Sequence, residues 1–239
     1  MDKMNTALNK RKEESYKIFD KIAPTYDALN LALSMGVDKY WRTKFLKHLP
    51  QAKNIKALDL ATGTGDVPLV LIKDSNVNHV TGNDLSSGMI KYGREKIKKK
   101  KKEDQIHLTL GDAMNIKAND NSYDLVTISF GIRNFSDPFK SLCEIQRVLK
   151  PGGRLLILEF SMPSFWAVRI PYLLYFRFIL PLIGNFFSKH KDAYKYLNQT
   201  VEQFPYGQEF TNLLTKAGLN NAKYTEYTFG LATMYQGDK

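Results

Sequence analysis

The stretch that most constrains this chain is residues 55–66, I-K-A-L-D-L-A-T-G-T-G-D. Ile55, Ala57, Leu58 and Leu60 form a short apolar run of the kind a buried strand needs. The chain then breaks at Gly63 and Gly65, and residues 67–73 resume with a helix-like pattern. A strand, a tight turn and a helix in that order leave backbone N–H groups facing outward. Glycine there admits positive φ and lets a ligand come close. The turn is therefore a candidate ligand floor. Many strand-to-helix turns carry glycine for steric reasons alone, so a second signal is needed. Asp84, in H-V-T-G-N-D-L-S, supplies it. It is the next acidic residue expected at a strand end, where its carboxylate would meet a ribose diol.

The same stretch narrows the ligand. A dinucleotide fingerprint needs a third glycine, but that position is Pro68, and Asp59 and Asp66 bracket the loop with negative charge. A pyrophosphate would be repelled. A cationic ligand without phosphate, such as S-adenosylmethionine with its ammonium and sulfonium, suits two carboxylates better.

Composition bounds the rest. The 239 residues suit one compact domain with an elaboration, and 43% apolar content can fill a core. Cys143 is the only cysteine, which excludes an internal disulfide framework and points to a reducing cytoplasm; we expect it to be an ordinary buried thiol. The four histidines lack ligand spacing, so no metal is expected. The N-terminus is polar, with no apolar signal core. The 35 Lys+Arg against 24 Asp+Glu give +11, which favours anionic surfaces. Part of the excess is the run at residues 98–102, read as the solvated end of a helix and its loop. The greasiest stretch, residues 165–187, is interrupted by Arg169, Pro171, Arg177 and Pro181, whereas a bilayer span needs ~20 largely uncharged residues. It reads as interfacial or substrate-facing.

Taken in order, residues 1–50 form an N-terminal helical cover, with Tyr16, Phe19 and Ile22 on one helix that Pro24 ends and an amphipathic helix over 37–49. Residues 51–239 form the ligand-binding domain. Strands are expected at 55–60, 79–83, 106–110, 123–129 and 154–160, with helices at 67–73, 87–98 and 138–149 and a turn at 150–153. This alternation predicts an α/β fold with a parallel, doubly wound sheet. The loops after the strand carboxyl ends should converge on one site. An insertion at 161–204 follows strand five, then a helix at 207–217 and strands at 221–227 and 228–235.

Four motifs now carry a resemblance: D-L-A-T-G-T-G-D at 59–66, S-F-G-I-R-N-F at 129–135, R-V-L-K-P-G-G-R-L-L-I-L-E-F-S at 147–161 and F-D-K-I-A-P-T-Y-D at 19–27. Together they resemble the ubiquinone/menaquinone biosynthesis C-methyltransferase family, a branch of the class I S-adenosylmethionine-dependent methyltransferases, over residues 19–237. The glycine-rich 147–153 segment is shared by many class I methyltransferases, whereas S-F-G-I-R-N-F is specific. The resemblance implies a Rossmann-like sheet of seven strands, mostly parallel, with the last antiparallel. It also implies a prenylated quinone precursor as methyl acceptor.

Carried over by position, it places Thr64 on the cofactor within the Asp59, Gly63 and Gly65 loop, Asp84 on the ribose, and Asp112 with Ala113 at the adenine. Ser129 borders the same pocket. Thr62 stands where some members carry glycine. Methylating a ring carbon needs an electron-rich ring held in line with the methyl donor, at ~3–3.5 Å. Arg133 could stabilise the phenolate and Asn134 orient the hydroxyl, with Tyr26 over the pocket; the alternative for Arg133 is an ion pair with a carboxylate.

Rival readings are a methyltransferase for another small aromatic or amine, a nucleic-acid methyltransferase, and a non-catalytic membrane-surface protein. Enzymes that methylate base amines carry an Asn/Asp-Pro-Pro-aromatic loop where this chain has Ser129-Phe130-Gly131-Ile132, so no nucleic-acid partner is expected. The expected partners are the prenylated quinone precursor, a transient anionic membrane surface and a possible homodimer. Demethylmenaquinone is favoured over a ubiquinone precursor as the acceptor, since the chain is compact and no transit-type segment is present, which argues against an organellar enzyme and leaves a bacterial ubiquinone enzyme as the alternative. The expected location is cytoplasmic, peripheral on the inner face of the membrane.

Overall fold

The alternation of apolar runs closes into one seven-stranded sheet. In the computed structural model, which describes residues 14–163, 165–174, 200–201 and 203–239, the strands are β1 (Ile55–Leu60), β2 (Val77–Asp84), β3 (Ile106–Leu110), β4 (Tyr123–Ser129), β5 (Leu149–Phe160), β6 (Asn220–Tyr227) and β7 (Ala232–Asp238). Their order is β3-β2-β1-β4-β5-β7-β6. The first five pair in parallel, and β7 runs antiparallel to both β5 and β6. The chain winds outward from β1 to β3 and then returns to place β4 on the other side of β1. Ligands in doubly wound sheets bind in the crevice left at that reversal.

Helices cover both faces, because successive residues of a strand point to opposite sides. Leu58 and Leu60 of β1 pack with Leu142, Ile145, Phe210 and Leu214, from α6 (Pro138–Val148) and α8 (Gln208–Lys216). Ile55 and Ala57 pack instead with Trp41 of α3 (Val37–Thr43), Phe45, and Val67 and Leu71 of α4 (Asp66–Leu71). A smaller cluster seats α5 (Ser87–Lys99) on β3 through Ile90, Ile97, Ile106 and Leu108. Ser86 caps α5, its hydroxyl accepting from the Met89 N–H at 3.1 Å.

The N-terminal cover comprises α1 (Ser15–Ile22), a 3₁₀ turn through Pro24 (Ala23–Thr25) and α2 (Tyr26–Ser34). After the sheet's fifth strand comes α7 (Trp166–Leu174), which has no buried residue. The remainder of the aromatic stretch, with Tyr175, Phe176, Arg177 and Phe178, lies outside the described residues.

Several expected boundaries move. The helix expected over 37–49 ends at Thr43 and tightens into a 3₁₀ turn, Lys44–Lys47. β5 begins at Leu149 and absorbs the expected Lys150–Gly153 turn as an irregularity, since Gly152 sits at φ 78° and the register jumps from Tyr123↔Leu149 to Leu125↔Arg154. The last strand starts at Ala232, because Thr228, Phe229 and Gly230 all take positive φ and make a turn. Cys143 is exposed rather than buried, since Leu142 and Ile145 take the inward face of α6. The lysine run ends α5 and is exposed throughout.

Candidate active site

A cavity of about 300 Å³ opens at the carboxyl ends of β1 to β4, roofed by Ser15, Tyr16, Phe19 and Tyr26 of the cover. Gly63 and Asp84 line one side, Asp112 and Ala113 the next, and Ser129 and Asn134 the far side. Asp59, Thr64, Gly65 and Arg133 are not on the wall.

Gly63 takes φ 56°, and its N–H donates to Asp84 Oδ2 at 2.8 Å, while the Ser86 N–H donates to Asp84 Oδ1 at 2.9 Å. Two backbone donors thus fix the carboxylate at the rim and leave lone pairs on both oxygens. Burial pushes the Asp84 carboxyl up, and those same N–H groups pull it back. Asp112 Oδ1 accepts from the Met114 N–H at 2.8 Å, which turns the chain after β3 and holds Ala113 in the wall. This geometry fits a ribose-bearing cofactor, with a backbone of close approach, a rim carboxylate and a second polar corner.

Three side chains of this loop are engaged by protein partners. Thr64 turns away from the cavity: it is 4% exposed, its hydroxyl donates to Asp27 Oδ1 at 2.6 Å, and it accepts from Lys96 Nζ at 2.9 Å. Asp66 is paired with the same Lys96 at 2.7 Å, so the loop is not bracketed by two free charges. Burial alone would raise the Asp66 carboxyl, yet Lys96 and Arg42 outweigh it and hold it below its ordinary value. Asp59 is 1% exposed, accepts from Thr127 Oγ1 at 2.6 Å, and is pushed up to about 7 by burial. Negative charge at the wall therefore comes from Asp84 and Asp112. Gly65, at φ 83°, lies against Ile97 and Leu108 and serves the packing of the turn.

The far wall is built differently. Phe130 holds φ 57°, a costly conformation for a bulky residue, with its N–H donating to the Leu158 carbonyl at 2.7 Å. Its ring stacks on Phe160 at 4.3 Å between centroids. A Cβ on Gly131 would stand 2.5 Å from that of Ala61, so only glycine lets the loops after β1 and β4 cross. Arg133 forms the carboxylate ion pair expected as its alternative: it pairs with Glu159 Oε1 at 2.5 Å and donates to the Phe130 carbonyl at 2.6 Å. Its guanidinium is buried and its charge already matched. Burial pushes the Glu159 carboxyl up, against the pull of Arg133. Ser129 Oγ and Asn134 Oδ1 are buried and find no hydrogen-bond partner among the described residues. An orphaned polar atom at a cavity wall is a place for a ligand's hydrogen bond.

Tyr26 lines the roof with its ring edge-on to Phe19 at 6.2 Å, and burial raises its hydroxyl pKa. Asp20, Asp27, Lys96 and Glu159 shape the site beyond the residues expected from the sequence. The signal for Glu159 was an acid inside the apolar run L-L-I-L-E-F, which a strand buried on both faces does not admit without a partner.

The pattern of the ubiE/COQ5 methyltransferase family matches residues 5–239. The chain belongs to that family. It is 37% identical over 230 residues to the demethylmenaquinone methyltransferase of Bacteroides fragilis, covering 96% of this chain and 94% of that one. It is 41% identical over 233 residues to the ubiquinone/menaquinone biosynthesis C-methyltransferase UbiE of Geotalea daltonii, covering 97% and 99%. Among solved structures, a SAM-dependent methyltransferase from Thermotoga maritima, described as a possible histamine N-methyltransferase, superimposes with a TM-score of 0.66 at 20% identity over 94% of this chain and 99% of that one. That likeness bears out the Rossmann-like fold, and the family match bears out the resemblance carried by the four motifs. The chain is thus an enzyme of a methyltransferase family.

Proposed function

We propose that this enzyme transfers the methyl group of S-adenosylmethionine to a ring carbon of demethylmenaquinol. The observation that carries the reading is one cavity with a ribose-type rim at Asp84 and Gly63, and an opposite wall where the apolar Phe130 and Phe135 adjoin the unpartnered Asn134 Oδ1. Nearly full-length likeness to proteins named for demethylmenaquinone supports the choice of acceptor.

Bound there, the cofactor supplies an electrophilic methyl. Asp84 would take the ribose hydroxyls, Asp112 and Ala113 the adenine, and the Gly63 backbone would allow close approach. Asp59, Thr64 and Gly65 serve by holding the loop in shape, and Ser129 Oγ offers a hydrogen bond at the pocket edge. On the acceptor side Asn134 Oδ1 would accept a hydrogen bond from the ring hydroxyl, which orients the ring and enriches its electron density. Tyr26 closes the site from above. Arg133 holds the Phe130 carbonyl and so shapes the acceptor wall from behind.

The wider reading is one catalytic domain, 51–239, with a cover at 1–50 and a substrate-side insertion at 161–204. A prenylated acceptor resides in a bilayer, and α7 carries Trp166, Ile170 and Leu174 exposed, next to Phe165 and beside Arg169. Aromatics beside cations suit a surface that meets headgroups and acyl chains. We therefore place the enzyme peripherally on the cytoplasmic face of an anionic membrane. No helix among the described residues is long and apolar enough to cross it. A homodimer through the same face is the competing use.

The test is a quinone profile of a strain lacking this enzyme. Accumulated demethylmenaquinone, restored to menaquinone by the wild-type chain, is the expected result. Accumulation of a ubiquinone precursor alone would move the acceptor, and an unchanged profile would overturn the reading.

A further inference from the structure

The segment F-D-K-I-A-P-T-Y-D at 19–27 carries two aspartates that the methyl-transfer chemistry does not use. Each reaches a different loop at the cavity. Asp20 Oδ1 accepts from Ser86 Oγ at 2.6 Å and from the Gly88 N–H at 2.8 Å, at the start of α5. This is the segment whose Ser86 N–H also holds Asp84. Asp27 grips the glycine-rich turn: Oδ1 accepts from Thr64 Oγ1, and Oδ2 pairs with Lys96 at 2.6 Å. Lys96 in turn reaches Thr64 Oγ1 and Asp66 Oδ1. Phe19 and Tyr26, each the residue just before one of these aspartates, form part of the cavity roof.

We propose that Asp20 and Asp27 are positioning residues for the cofactor, which clasp the cover to the two loops the cofactor meets and so set how long it is retained. The proposal rests on the cofactor reading given above. Its physical basis is linkage. A roof over the bound ligand must open for the ligand to leave, and any contact made only in the closed form shifts that equilibrium by its own free energy. The two clasps differ in strength. Asp20 is a carboxylate receiving an O–H and an N–H at a helix N-terminus, where negative charge is favoured. Asp27 has a side chain 45% exposed against 20% for Lys96, so its ion pair is open to screening by salt. Asp27 is the weaker and more adjustable clasp.

Dissociation of S-adenosylhomocysteine from the full-length enzyme tests this, read by stopped flow and by calorimetric Kd for Asp20→Ala, Asp27→Asn and Lys96→Met, with Asp84→Ala as control. Asp27→Asn should speed release and weaken affinity roughly three- to tenfold, and Asp20→Ala more than that. The thermal midpoint of the ligand-free Asp27→Asn enzyme should stay near wild type, which separates retention from folding. Raising salt should speed release from wild type and leave Asp27→Asn nearly unchanged. Lys96→Met added to Asp27→Asn should cost less than the two changes summed, since the two groups share one contact. Wild-type release rates in both aspartate variants, with Asp84→Ala weakened, would overturn the clasp and leave the cofactor reading intact. An Asp84→Ala enzyme with unchanged affinity would instead remove the cofactor reading, and the clasp with it.

Discussion

At the Asp84 wall of the cavity the fixing groups are backbone N–H groups within a few residues of a strand end, those of Gly63 and Ser86. At the Phe130 wall they are buried side chains brought from another strand, with Glu159 of β5 matched to Arg133 of the loop after β4. The difference has consequences for damage. A side chain removed from the first wall exposes a rim that water can satisfy. A side chain removed from the second strands a charge in the interior.

The largest expected effect follows directly. Glu159→Gln leaves the Arg133 guanidinium, whose side chain is 7% exposed, without its counter-charge, and should cost about 3–5 kcal/mol of unfolding free energy by denaturant titration. Turnover should fall with it, because Phe130 loses the clamp on its positive-φ backbone. Adding Arg133→Met should recover much of the stability and none of the turnover. A loss below about 1 kcal/mol in the single variant would show that the two walls are not built differently, since median exposed pairs contribute that little.

This contrast also explains what the sequence made legible. The parallel strands and the meeting of Gly63 and Asp84 at the cavity wall follow from local pattern, since period and turn chemistry depend on neighbours in sequence. The roles of Thr64 and Asp66 did not, because Lys96, one element away, decides where they point. Arg133 has two fates open from the sequence, and Glu159 inside an apolar run is the pointer to the ion pair. The exposure of Cys143 turns on which stripe of α6 meets the sheet. The shift of the last strand to Ala232 turns on three successive positive φ values, which Thr228 and Phe229 do not advertise.

A second effect comes from the buried carboxylate of β1. The Asp59 carboxyl moves from 3.8 to about 7 on burial, so between those values the native chain keeps a proton that the unfolded chain has released. Stability therefore declines as pH rises through that window, and levels off above it. A shift of roughly three units corresponds to at most ~4 kcal/mol, at 1.36 kcal/mol per unit. Asp59→Asn keeps an oxygen for the Thr127 hydroxyl and removes the titration. The variant should match wild type near pH 4 and exceed it by about 2–4 kcal/mol at pH 8. Parallel stability curves across that range would show that Asp59 is solvated well enough to ionise freely.

The smallest expected effect on folding lies furthest from both walls. Trp166 is 69% exposed and Ile170 52%, on a helix with no buried residue, so Trp166→Ser with Ile170→Ser should change stability by no more than about 0.5 kcal/mol each, as for surface positions generally. If this helix serves the acceptor's entry from a bilayer, the pair should reduce sedimentation with anionic liposomes. It should raise KM for long-tailed acceptors and leave KM for a tail-less analogue nearly unchanged, because the ring still meets the same Phe130 wall. Equal increases on both acceptors would place the helix in contact with the ring site. A shift from dimer to monomer with liposome binding intact would assign the face to a second copy of the chain. No change in any of the three measurements would remove α7 from the acceptor's path, and the charge of Arg169 beside it would then be ordinary surface.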